Sequence, residues 1–128
     1  MAKPESTKSI GTKGEQLAAD FLSAKGYRIV QRNYFAFKVE IDLIALDEST
    51  NQIVFIEVKT LRNDFFQQPY EEVNLKKQRN IIKAADTYLR RHDIDKEARF
   101  DVVSIVLKPD SEPEITHIIS AFCAIDLL

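Results

Sequence analysis

The chain is short of several things, and each shortage narrows what it can be. Its single cysteine, Cys123, leaves no partner for an internal disulfide. No cysteines and histidines fall at the spacing of a zinc site. Apolar stretches run to only five or six residues, too short to span a bilayer. Residues 1–9 carry Lys3 and Lys8 but lack the apolar core of a signal peptide, and with Pro4 and no periodicity they read as a flexible segment ahead of a domain at 10–128. A reducing, cytoplasmic setting without a membrane partner is the expectation. Excess positive charge is missing too. Eighteen Lys and Arg against 20 Asp and Glu leave a net charge of −2, so nucleic-acid binding would need a local patch or bound metal ions. What is present suits one globular domain of 128 residues, with 45% hydrophobic and 30% charged residues.

Hydrophobic spacing orders the chain. Leu17, Ala18, Phe21 and Leu22 recur at helical spacing within about 12–25, and Gly26 stands where a helix ends on a left-handed residue. Residues 27–34 read as a strand. Two stronger strands follow at 40–46 and 53–59, separated by the turn-forming residues 47–52. Residues 61–74, with Pro69, read as a loop. A helix is expected at 75–92, a strand at 99–107, and a fifth strand at 115–119. This order predicts a single-domain α/β fold with an α-β-β-β-α-β core and a mixed central sheet flanked by helices.

The 40–46 and 53–59 hairpin places charges. Closed symmetrically, it sets Leu46 opposite Ile53, Asp42 opposite Glu57 and Glu40 opposite Lys59. Simple alternation puts those four charges on one face, continuing into Ile44, Leu46, Ile53 and Phe55. The other face carries Ile41, Leu43 and Ala45 against Val54, Ile56 and Val58. A hairpin apolar on both faces belongs inside a covered sheet. Carboxylates opposed there raise a pKa or attract a cation, and Mg²⁺ with its preference for oxygen ligands suits them, Mn²⁺ being a substitute. A local salt-bridge cluster around Lys59 is the plainer alternative.

Glu15 shares the side of the first helix that carries Ala18, Ala19 and Leu22, from which it could reach toward Asp42 and Glu57. Equally, Thr12-Lys-Gly-Glu15 has the form of a capping box. Gly11 and Gly14 allow a close backbone approach. The helix at 75–92 buries Ile81, Ile82, Ala85, Tyr88 and Leu89, and beside that stripe gathers Lys76, Arg79, Lys83 and Arg90. Such a stripe is either a solvated face or a phosphate-binding one. His92 and His117 sit in no catalytic constellation, and Cys123 reads as a small buried residue.

Gly14-Glu15, Glu40-Ile-Asp42-Leu-Ile-Ala45, Phe55-Ile-Glu57-Val-Lys59-Thr60, Lys77-Gln78, Arg99-Phe-Asp101-Val-Val103 and Ala121-Phe122 together resemble the YraN-like family of uncharacterised proteins. That family resembles a branch of the PD-(D/E)xK nuclease superfamily, with its Holliday junction resolvases and restriction enzymes. The resemblance runs from about Gly11 to Phe122. It departs at Val39, where the family usually has glycine. It implies a restriction-endonuclease-like core and a Mg²⁺-dependent endonuclease hydrolysing phosphodiester bonds in DNA, with branched or junction DNA as one candidate substrate. Asp42, Glu57, Lys59 and Glu15 would be the catalytic residues. Asp42, Glu57, Glu15 and the carbonyl of Val58 would hold metal, with Lys59 orienting water or offsetting charge. Glu40 would be an outer-sphere or structural partner of Lys59 rather than a ligand, and Asp101 structural near the fourth strand or a support behind the ligands. Lys76, Lys77, Gln78, Arg79 and Lys83 would face nucleic acid, and symmetric junction cleavage would call for a homodimer. The alternatives are a catalytically silent nucleic-acid-binding module that keeps the nuclease fold, and a protein–protein adaptor.

Overall fold

The computed structural model describes residues 7–62 and 74–123. Seven elements follow in order: α1 (Thr7–Ala24), β1 (Tyr27–Ala36), β2 (Val39–Asp47), β3 (Gln52–Arg62), α2 (Leu75–Arg91), β4 (Ala98–Leu107) and β5 (Glu114–Phe122). The strands form one five-stranded sheet in the order β1-β2-β3-β4-β5. Only β3 and β4 run parallel, and α2 lies in the crossover that parallel pairing requires. This is the expected single-domain α/β architecture with a mixed sheet between two helices.

Each helix covers one face through its own apolar stripe. Ala18, Ala19 and Leu22 of α1 pack on Leu43, Ala45, Val54, Ile56, Val103 and Ile105. Ile81, Ala84, Ala85 and Tyr88 of α2 pack on Ile44, Ile53, Phe55, Phe100 and Val102. Phe55 stacks on Phe100 and Phe100 on Phe122, which carries that core across to β5. Gly26 follows α1 with φ +92°, the left-handed turn expected of it. Asn74 caps α2, its side-chain oxygen accepting from the Lys77 N–H at 2.9 Å.

Several boundaries differ from the sequence reading. Helix α1 begins at Thr7, so residues 7–9 are helical, while 1–6 lie outside the described residues. Thr12 is therefore inside the helix and cannot be its N-cap, which removes the capping-box reading of Glu15. Leu61 and Arg62 belong to β3 rather than to a loop; the rest of that loop, 63–73, lies outside the described residues. Cys123 is exposed rather than buried.

A polar knot closes the far end of the sheet. Arg99, 7% exposed, donates to Asp47 at 2.8 Å, to both oxygens of Asp101 at 3.0 and 2.8 Å, to Gln52 at 3.0 Å and to the Tyr27 hydroxyl at 2.6 Å. Asp101 is also paired with His117 Nε2 at 2.7 Å and accepts from the Ser120 N–H at 3.0 Å. Burying these charges is tolerable because each one is met by several partners.

Candidate active site

The hairpin register is the expected one: Leu46 pairs with Ile53, Ala45 with Val54, Ile44 with Phe55 and Leu43 with Ile56. There the paired rungs stop. Asp42, next in line beside Glu57, turns its carboxylate onto the neighbouring strand, and its Oδ2 accepts from the Val58 N–H at 2.7 Å. Simple alternation fails at the same point. Ile41, expected with Leu43 and Ala45, is buried with Ile44 under α2. Its partner Tyr34 on β1 lies in the same cluster, and Asn33 beside it has left-handed backbone, φ 54°. The acids collect where the strands change face, not along one uniform face.

Glu15, Glu40 and Asp42 each offer a carboxylate oxygen, and these atoms lie within 4.8 Å of one another. With its amide nitrogen turned toward the acids, Asn33 donates to Glu40 Oε1 at 3.1 Å and to Glu15 Oε2 at 3.2 Å. Sequence reading missed Asn33 altogether. It also gave Glu40 to Lys59; Glu40 joins the acid cluster, and among the described residues Lys59 pairs with Glu57, at 3.5 Å. Glu15 reaches the cluster because α1 runs close over β3 at Gly14. A Cβ on that glycine would fall 1.8 Å from Thr60 Oγ1, so only glycine fits.

Glu57 is 8% exposed and faces α2. Lys77 Nζ donates to its Oε1 at 2.6 Å. Electrostatics follow from this crowding. Burial, then the charges of Glu57, Glu15 and Glu40, push the Asp42 carboxyl up to about 8 despite the Val58 N–H. Glu15 is raised too, first by burial and then by Glu40. Asp42 and Glu57 open into one cleft of about 430 Å³, whose wall includes Lys38, Asn74, Lys76, Lys77 and Asn80. Lys76, Arg79 and Lys83 are exposed on α2, but Gln78 is buried on its inward side. His117 is engaged with Asp101 in the polar knot, and His92 Nδ1 lies 2.9 Å from the Tyr88 carbonyl oxygen at the end of α2.

The uncharacterised protein family UPF0102 matches residues 14–105, a span that takes in Glu15, Asn33, Asp42, Glu57, Lys59 and Lys77. The chain belongs to the UPF0102 family. This agrees with the YraN-like resemblance. A UPF0102 protein of Pelobacter propionicus is 40% identical over 122 residues, covering 94% of this chain and 86% of the relative. One from Caldanaerobacter subterraneus subsp. tengcongensis is 40% identical over 123 residues, covering 94% and 99%. One from Chlorobium phaeobacteroides is 48% identical over 107 residues, covering 83% of each. Among the described residues, this UPF0102 protein has no helix long and apolar enough to cross a membrane.

Proposed function

We propose that this UPF0102 protein is a metal-dependent endonuclease that hydrolyses phosphodiester bonds in DNA, branched or junction DNA included. One observation carries the reading: three carboxylates with oxygens within 4.8 Å of one another adjoin a cleft shared by Asp42, Glu57 and Lys77. The donor set is all oxygen, and burial together with the charges of Glu57, Glu15 and Glu40 pushes the Asp42 carboxyl up to about 8, a crowding that Mg²⁺ or Mn²⁺ would relieve. Glu15, Glu40 and Asp42 would hold it, with Glu57 and the Val58 carbonyl as further donors from the neighbouring strand. When bound, the ion supplies Lewis acidity toward a phosphoryl oxygen and a more acidic water.

The chain's own groups do the rest. Lys59 orients the attacking water and offsets charge gathering on the phosphoryl oxygens. Lys76 and Lys77, on the cleft wall, meet the flanking phosphates, and the exposed Arg79 and Lys83 extend that contact along α2. A homodimer would present two such clefts to a symmetric junction. The reading as a silent binding module draws support from the Lys77–Glu57 contact at 2.6 Å, which occupies a ligand oxygen.

The test is cleavage of labelled single-stranded, duplex, flap and four-way-junction DNA, and of RNA, with Mg²⁺ or Mn²⁺, by the wild type and Asp42→Asn. Metal-dependent cuts lost in the variant are expected. No cuts with equal binding by both proteins would replace the nuclease by the silent module.

A further inference from the structure

The turn between β1 and β2 stands at the rim of the cleft, since Lys38 and Val39 line it together with Asp42 and Glu57. Both central residues of that turn, Phe37 and Lys38, have positive φ, 52° and 59°. Two-residue hairpins with this pattern ordinarily carry Asn-Gly there, because a side chain on left-handed backbone is strained. Phe37 accepts that strain and is still 53% exposed. Two residues earlier, Phe35 is 68% exposed. It pairs directly with Glu40 across the strands, so the two side chains leave the hairpin on the same face. Isolated exposed apolar side chains are commonplace, and Val30 and Ile119 need no further explanation. Two exposed phenylalanines on the hairpin whose turn borders a cleft walled by lysines and carboxylates are a different matter.

We infer that Phe35 and Phe37 form a stacking platform for nucleic-acid bases, and that the preferred substrate has unpaired nucleotides beside the phosphate entering the cleft. The inference rests on reading that cleft as a phosphodiester site. Every base has a π face, so stacking on an aromatic ring is tolerant of sequence. Within a duplex those faces are covered by neighbouring bases; in an overhang, flap or frayed junction they are free. Aromatic rings next to the phosphate site therefore separate open strands from closed ones. Lys38, Lys76 and Lys77 supply the complementary charge for the backbone. With a net charge of −2, the chain has little long-range attraction for DNA, so a contact that does not depend on Coulomb forces carries more of the affinity.

The experiment titrates oligonucleotide duplexes, blunt or with a single-stranded overhang carrying 2-aminopurine, with and without Mg²⁺. Wild-type protein should quench the overhang probe and bind it more tightly than the blunt duplex. The Phe35→Ala/Phe37→Ala double variant should lose the quenching and bind the overhang about tenfold more weakly, with blunt-duplex affinity unchanged. Phe37→Asn, which suits the turn, should melt at the same or a higher temperature yet bind the overhang less well; a merely structural Phe37 would not separate the two. Unchanged quenching and affinity in the double variant would overturn the platform. So would loss of self-association with nucleic-acid affinity intact, which would give the rings to a second copy of the chain. Metal-dependent cleavage without ring-dependent binding sinks the platform and leaves the nuclease standing. Ring-dependent binding without cleavage does the reverse, and absence of all nucleic-acid binding removes both.

Discussion

Lys77 Nζ lies 2.6 Å from Glu57 Oε1, closer than Lys59, whose ammonium stands 3.5 Å from the same oxygen. The two lysines come from different elements, α2 and β3, and meet on one carboxylate. Burial opposes the charge on Lys77, but the contact with Glu57 outweighs it and raises the ammonium pKa. A divalent cation binding through this oxygen of Glu57 would compete with the lysine.

Lys77→Met should therefore tighten Mn²⁺ binding in the absence of nucleic acid, by about fivefold, corresponding to about 1 kcal/mol. Calorimetric titration of the two proteins would show it. Equal or weaker binding by the variant would mean that Lys77 does not compete for the site.

The Asp42 carboxyl carries a stability cost that depends on pH. Its pKa rises from 3.8 to about 8 on folding, so the associated stability is full below 3.8 and is lost as pH rises through about 8. Asp42→Asn removes the penalty and keeps an oxygen for the Val58 N–H. In chelator, the variant should exceed the wild type in melting temperature by roughly 3–6 °C at pH 8, with a smaller gain at pH 5. A variant less stable at both pH values would contradict this account.

Gly14→Ala forces its new Cβ to within 1.8 Å of Thr60 Oγ1 and 2.8 Å of Thr60 Cβ. Helix α1 must lift, taking Glu15 with it. A loss of about 1–3 kcal/mol is expected in urea unfolding, along with weaker Mn²⁺ binding. Adding Thr60→Ala should recover part of the stability and not all, because the Cβ contact remains. Full tolerance of Gly14→Ala would show that α1 does not need its close approach.

Arg99 anchors the opposite end of the sheet. For Asp47, burial would raise the pKa, but hydrogen bonds from Arg99 and Ser49 hold it below the usual carboxylate range. Asp101 is held low against its burial by His117 and Arg99. Stability from these lowered groups is present above about pH 4 and is lost as pH falls through their native values. Arg99→Ala leaves two buried carboxylates without their guanidinium and should cost about 3–5 kcal/mol at neutral pH. Because those carboxylates then protonate more readily, the variant should also show a flatter acid limb in stability against pH. A small change at neutral pH would mean that the knot is replaceable.

The parts of the site that lie along one strand pair were legible in the sequence. The register of β2 against β3 follows from a polar turn and the alternation of apolar residues, and it places Asp42 beside Glu57. Glu15 was reachable through helical spacing and family resemblance together. What escaped depends on contacts between distant elements. Asn33 adopts a left-handed backbone that its neighbours in sequence do not announce, and its link to Glu15 and Glu40 needs α1, β1 and β2 at once. Ile41 changes face because β2 follows the irregular path of β1, which strict alternation cannot foresee. Thr7, Lys8 and Ser9 are polar residues, so hydrophobic periodicity starts α1 too late.

The seam at which β2 and β3 part has one more consequence. Past Leu43 and Ile56, a side-chain carboxylate takes the place a main-chain carbonyl would have held, and the Val58 amide proton is bound by a group that can turn away. Whatever draws Asp42 elsewhere loosens that proton without unfolding the sheet. The Val58 amide resonance thus provides a built-in gauge of the cleft, shifting in frequency and exchanging faster as Asp42 is recruited, while amides deeper in β3 stay silent.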